Sequence, residues 1–115
     1  MWRPRPAAAT GKAIDTAAKA KPGALFTSSS ASRITPGNFD DHLAGIASCD
    51  WVIEAVTENL AVKRALWARA LEYASPAAIL STNTSGIPLS RIAESFPDQA
   101  RSRFLGTHFF NPPRY

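Results

Sequence analysis

The sequence has a single cysteine, Cys49, among 115 residues. One cysteine excludes an internal disulfide framework and any zinc site built on cysteines. It fits a reducing, cytoplasmic setting, and no metal site is expected. Long apolar runs are lacking as well. None approaches the ~20 residues that span a bilayer, and the charged start MWRPRPAAAT has no apolar segment behind it of the kind secretory signals carry. Clustered charge is also missing. Lysines and arginines number 13 against 9 acids, for a net charge of +4. They are spread from Arg3 to Arg114 with no aromatic-interleaved basic run, so nucleic acid is not an expected partner. Finally, no two of the six glycines are separated by a single residue. That excludes a G-x-G-x-x-G turn, whose backbone N–H groups would hold a dinucleotide's pyrophosphate.

What is present is ordinary for a globular chain: 45% hydrophobic and 19% charged residues, enough for one domain with a small core. Residues 1–10 are expected to be an irregular tail, because Pro4 and Pro6 oppose a helix start. GKAIDTAAKAK is rich in alanine and lysine and predicts a helix closed by Pro22 and Gly23. A loop follows as far as the turn signal Pro36, Gly37, Asn38. Phe39, Leu43 and Ile46 then fall on roughly one helical face.

From Asp50 the pattern sharpens. DWVIEAV, residues 50–56, is a short apolar run rich in β-formers and predicts a buried strand. NLAVKRALWARALEYA predicts an amphipathic helix over 59–75, capped by Asn59 and ended at Ser75 and Pro76. Leu66, Ala70 and Ala74 recur in it at four-residue spacing, beside Trp67 and Leu71. AAILST, 77–82, is a second strand. PLSRIAESF is a short helix with Pro88 in its first turn, and RFLGTHFF, 103–110, is a third strand. Strand, helix, strand, helix, strand with short connections means an α/β fold with a parallel, doubly wound sheet.

Ligands of such sheets bind beyond the carboxyl ends of the strands. Those positions hold Thr57, Glu58 and Asn59 after the first strand, with Lys63 one turn into the helix. TNTSG follows the second strand, and His108 and Asn111 follow the third. Singly, each has a plain structural reading: Asn59 a cap, Lys63 a solvated helix residue, TNTSG a turn, His108 a hydrogen-bonded core histidine. Together they gather polar groups on one rim, which suits a site that handles a polar ligand and a proton. His42 stands apart from these positions and reads as a surface residue.

DWVIEAVTENLAVKRALW, ILSTNTSGIPLSRIA and FLGTHFFNPPRY resemble, in order and spacing, segments of the NAD-dependent 3-hydroxyacyl-CoA dehydrogenase family. RITPGNFDDHLAGIASCDW resembles long bacterial members that join this dehydrogenase to an enoyl-CoA hydratase. The resemblance is clear from Ala24 to Tyr115, looser from Gly11 to Gly23, and leaves out 1–10. It implies a partial NAD-binding domain over 11–115, NAD as cofactor, an acyl-CoA substrate and a place in fatty-acid β-oxidation. The full-length protein would be a homodimer or a multifunctional β-oxidation enzyme. His108 of the HFFNP motif matches the family's catalytic base, which takes the proton of the 3-hydroxyl as the hydride leaves. Imidazole suits that role because its ordinary titration range lies near neutrality. Asn111 matches the asparagine on the nicotinamide side of the site. Ser85 matches a serine that contacts both cofactor and substrate, and Asn83 an orienter of the histidine or the substrate. Glu58 and Lys63 match positions that help to hold the cofactor.

Several parts of the family pattern are lacking: the glycine turn, the ribose-binding acid, the glutamate that follows the histidine, and the helical C-terminal domain. The expectation is therefore an incomplete Rossmann-like sheet without its first strand, with one face or edge open. Such a chain would be cut from the middle of a longer enzyme and inactive by itself. Two other readings stay open: a non-catalytic binding or interaction module that keeps the fold, and a related NAD-dependent hydroxy-acid dehydrogenase.

Overall fold

The computed structural model describes residues 7–110, with side chains from residue 11 onward. The chain divides into two compact units, one of them Ala44–His108 and the other comprising Met1–Leu43 with Phe109–Tyr115.

Ala44–His108 is built on a three-stranded sheet, β1 (Trp51–Glu54), β2 (Ile79–Thr82) and β3 (Phe104–Gly106), in the order β1-β2-β3. Both pairings are parallel, with Val52 opposite Leu80 and Leu80 opposite Phe104. The parallel α/β arrangement is the one expected. Each strand is shorter than its apolar run, however, because only part of each run finds ladder partners. Helix α2 (Leu60–Leu71) follows β1, and Asn59 caps it by accepting from the Val62 N–H at 3.1 Å. Its alanines, leucines and long straight side chains are good helix formers. It ends at Leu71, short of the expected Ser75.

After β2 come α3 (Leu89–Ile92), a 3-10 turn over Ala93–Ser95, and α4 (Asp98–Arg101), which begins after Pro97 and was not expected. The first two divide the single helix predicted from PLSRIAESF. The Arg64 guanidinium donates to the Arg91 carbonyl at 2.8 and 2.6 Å, satisfying the end of α3, and pairs with Glu94. Arg101 in turn donates to the Phe96 carbonyl at 3.0 Å.

Alternation along the strands gives the sheet two unlike faces. One face carries Val52, Leu80 and Phe104, which pack with Trp67, Ala70, Ile92, Ala93, Phe96 and Ala100 in a single cluster. Trp67, Phe96 and Phe104 meet in pairs at 5.0 to 5.5 Å between ring centroids, tilted or edge to face, the arrangement aromatic quadrupoles favour. The other face carries Trp51, Ile53, Ile79 and Leu105, all between 41% and 47% exposed. Here Trp51 Nε1 donates to Ser81 Oγ at 2.9 Å, across two strands.

In the other unit, helix α1 (Ala7–Lys19) starts inside the stretch expected to be an irregular tail. Ala7, Ala8 and Ala9 are the strongest helix formers and lead directly into the predicted helix. The expected loop contains a 3-10 turn over Ser28–Arg33. The helical face expected from Phe39 onward does not form as an α-helix. Asn38 Oδ1 accepts from the N–H groups of Asp40 and Asp41 at 3.0 and 2.7 Å, a side-chain turn that competes with helix. Only a 3-10 turn, Leu43–Ser48, follows, all but its first residue belonging to the Ala44–His108 unit. His42 is exposed and accepts at Nδ1 from the Asn38 N–H at 3.2 Å. Among the described residues, no helix is long and apolar enough to cross a membrane.

Candidate functional site at the carboxyl edge of the sheet

Parallel pairing sends the loops after all three strands to one edge. The ladder itself continues into them: the Asn83 N–H donates to the Glu54 carbonyl at 2.7 Å, and the Thr107 N–H to the Thr82 carbonyl at 3.0 Å. The residues that follow β1 and β2 are thereby set side by side.

Glu58 joins these two loops. Its Oε1 accepts from the Gly86 N–H at 3.0 Å and from the Thr84 hydroxyl. A Cβ on residue 86 would stand 3.5 Å from that oxygen, an ordinary contact, so the bond does not itself require glycine. The Thr84 hydroxyl, then the Gly86 N–H, hold the Glu58 carboxyl below its ordinary range, with smaller pulls from the Lys63 ammonium and the Ser85 backbone set against the effect of burial. Its side chain keeps 44% exposure, so an ionised acceptor faces solvent at the rim.

Lys63 is not a solvated helix residue. Its side chain is 1% exposed, and its Nζ lies 2.8 Å from Glu54 Oε1, whose side chain is 3% exposed. Nζ also donates to the Val56 carbonyl at 3.2 Å and stands 3.7 Å from Glu58 Oε2. The second oxygen of Glu54 accepts from Thr82 Oγ1 at 2.6 Å, and its first accepts also from the Val56 N–H at 2.6 Å. A buried carboxylate and ammonium survive only when paired and hydrogen-bonded, and here each is.

Glu54 was missed as a member of this cluster, and Thr82 was placed at the rim only as part of TNTSG. A signal for Glu54 was present: one acid in the middle of the apolar run DWVIEAV, where a charge needs a buried partner. Asn59 is the helix cap. Ser85 is exposed, Asn83 is half-buried, and His108 is exposed, two residues beyond β3 rather than within a strand. Asn111 lies outside the described residues. Among the described residues no group of three His, Cys, Asp or Glu side chains could hold a metal ion.

The family model described as the NAD-binding domain of 3-hydroxyacyl-CoA dehydrogenase matches residues 5–115. The chain belongs to this family. Membership reaches back into the stretch that the motifs had left out. A probable 3-hydroxyacyl-CoA dehydrogenase of Bacillus subtilis is 45% identical over 97 residues, covering 84% of this chain and 12% of that protein. A putative fatty acid oxidation complex trifunctional enzyme of Rickettsia felis is 44% identical over 97 residues, covering 84% of this chain and 14% of its own. Among solved structures, 3-hydroxybutyryl-CoA dehydrogenase from Escherichia coli superposes with a TM-score of 0.67 at 32% identity, over 94% of this chain and 22% of that one. The chain thus spans less than a quarter of each of these three relatives.

NAD is the cofactor of the domain. The rim fits part of it: an exposed, ionised Glu58 carboxylate can accept from a hydroxyl, and exposed Ser85 stands on the loop that carboxylate holds. The pyrophosphate part has no glycine turn in this sequence.

Proposed function

We propose that the chain is the NAD-binding segment of a longer enzyme that oxidises L-3-hydroxyacyl-CoA to 3-oxoacyl-CoA in fatty-acid β-oxidation. Residues 11–115 are the partial NAD-binding domain in this reading. The whole protein works in the cytoplasm, as a homodimer or within a multifunctional β-oxidation enzyme. The observation that carries the proposal is the Glu58 clamp, which ties the 84–86 loop to the loop after β1 at the edge where such sheets bind ligands.

NAD, when bound, supplies the acceptor for the C3 hydride. His108 accepts the hydroxyl proton at a ring nitrogen, so the oxygen's electron pair is released to form the carbonyl. Ser85 offers its hydroxyl to substrate and cofactor, Asn83 orients the histidine or the substrate, and Asn111 serves the nicotinamide side. Glu58 and Lys63 help to hold the cofactor, Glu58 as the exposed acceptor.

The test is His108→Gln in the assembled dehydrogenase. The amide cannot accept a proton at neutral pH, so kcat should fall about 100- to 10,000-fold, with a near-normal dissociation constant for NAD. Retention of more than about a tenth of the activity would make His108 structural and sink the mechanism. A non-catalytic module would have no chemical use for His108, so the same variant separates the two readings. By calorimetry the chain alone should show no low-micromolar affinity for NAD, because it has no phosphate-binding turn.

A further inference from the structure

We infer that Glu54 is a positioning residue for the rim: from the buried end of β1 it anchors Lys63 and Thr82, and through Lys63 it sets Glu58 and the loop Glu58 holds. Its weight for catalysis rests on the dehydrogenase reading above, but its geometry does not.

The bonds form a continuous chain. Glu54 Oε2 takes the Thr82 hydroxyl at the end of β2, and Oε1 takes both the Val56 N–H and the Lys63 ammonium from α2. Lys63 adds the Val56 carbonyl at 3.2 Å and faces Glu58 Oε2 at 3.7 Å. Glu58 then holds Thr84 and Gly86 with its other oxygen. Two strand ends, one helix and two loops are fixed by three side-chain charges. Lys63, its side chain 1% exposed, reaches the rim through its pairing with Glu58 Oε2 at 3.7 Å.

Stability does not account for the pair. Filling the same space with apolar side chains is commonly neutral or stabilising, because it avoids desolvating two ions. An ion pair at this edge supplies something an apolar pair cannot: directional bonds that set where Glu58, and hence the 84–86 loop, stands.

The experiment is NMR of the full chain, following the Gly86 amide. That proton is bonded to the Glu58 carboxylate, so its shift tracks Glu58 titration and its hydrogen exchange reports the bond. Two variants are compared with the wild type, Glu54→Gln and the double variant Glu54→Leu with Lys63→Met. In Glu54→Gln the Lys63 ammonium keeps Glu58 as its remaining carboxylate, so the Glu58 midpoint should fall. In the double variant the ammonium is gone: the midpoint should rise, and Gly86 should exchange about tenfold faster while the melting temperature stays near wild type. Stability with an unchanged Gly86 midpoint and exchange rate would overturn the inference, since the pair would then only fill space. A double variant that fails to fold would overturn it too, because the pair would then be required by the core. The dehydrogenase reading is tested apart from this, by His108→Gln in the assembled enzyme: if that variant kept its activity, that reading would fall and the positioning role of Glu54 would stand.

Discussion

At one end of the sheet's covered face, Trp67, Phe96 and Phe104 meet ring to ring beside Leu80 and Ile92. At the other end of the same strands, Glu54, Lys63 and Thr82 fill the same layer with a carboxylate, an ammonium and a hydroxyl. The first arrangement is held by apolar burial, which is non-directional and tolerates small shifts. The second is held by charge-assisted bonds, which are short and directional. The difference separates two tasks within one small unit: the apolar end supplies stability, and the ionic end supplies position at the edge where ligands of such sheets bind.

The sharpest way to break the contrast is Lys63→Met alone. It leaves the Glu54 carboxylate buried without its countercharge, and removing one member of such a pair costs about 3–5 kcal/mol. Urea unfolding should show this as a lower midpoint at unchanged slope. At the apolar end, Leu80→Ala opens a cavity beside the aromatic cluster, where Leu80 is 0% exposed. The expected loss is about 2–5 kcal/mol, read from the same curve, with Glu58 titration unaffected.

Trp67→Phe should cost far less, below about 1 kcal/mol. Among the described residues Trp67 Nε1 is the buried side-chain polar atom without a partner, and deleting an unsatisfied donor offsets part of the lost packing. A loss above roughly 3 kcal/mol in thermal unfolding would mean that the indole's extra ring, and not its N–H, dominates.

The smallest effect is local and depends on pH. Glu58 has a folded-state carboxyl pKa below the ordinary glutamate value of 4.5. Its clamp on Thr84 and Gly86 is therefore at full strength above that value and is lost as pH falls through the lower folded-state pKa. Gly86 amide exchange, corrected for its intrinsic pH dependence, should lose protection in that acid range, while amides of Leu80 and Ile92 keep theirs. Protection of Gly86 that persisted well below that range would mean the carboxylate is not what holds the loop.

Local pattern was enough for the order of elements and the parallel sheet. Apolar β-forming runs at 50–56, 77–82 and 103–110 alternate with helical stretches, and a helical crossover is the usual connection between parallel strands. The Asn59 cap was likewise written in a few neighbouring residues. From the strand order alone, Glu58 and TNTSG were placed at the carboxyl edge. The tertiary structure alone decided the burial of Lys63, whose position on a helix of mixed polarity reads as solvated until Glu54 is seen opposite it. It also decided the bond between Thr82 and Glu54, 28 residues apart in the chain, and the exposure of the face carrying Trp51, Ile53, Ile79 and Leu105. Periodicity reports which residues share a face of one element. Which face finds a neighbour, and which charge finds its partner, is settled only when separate elements pack.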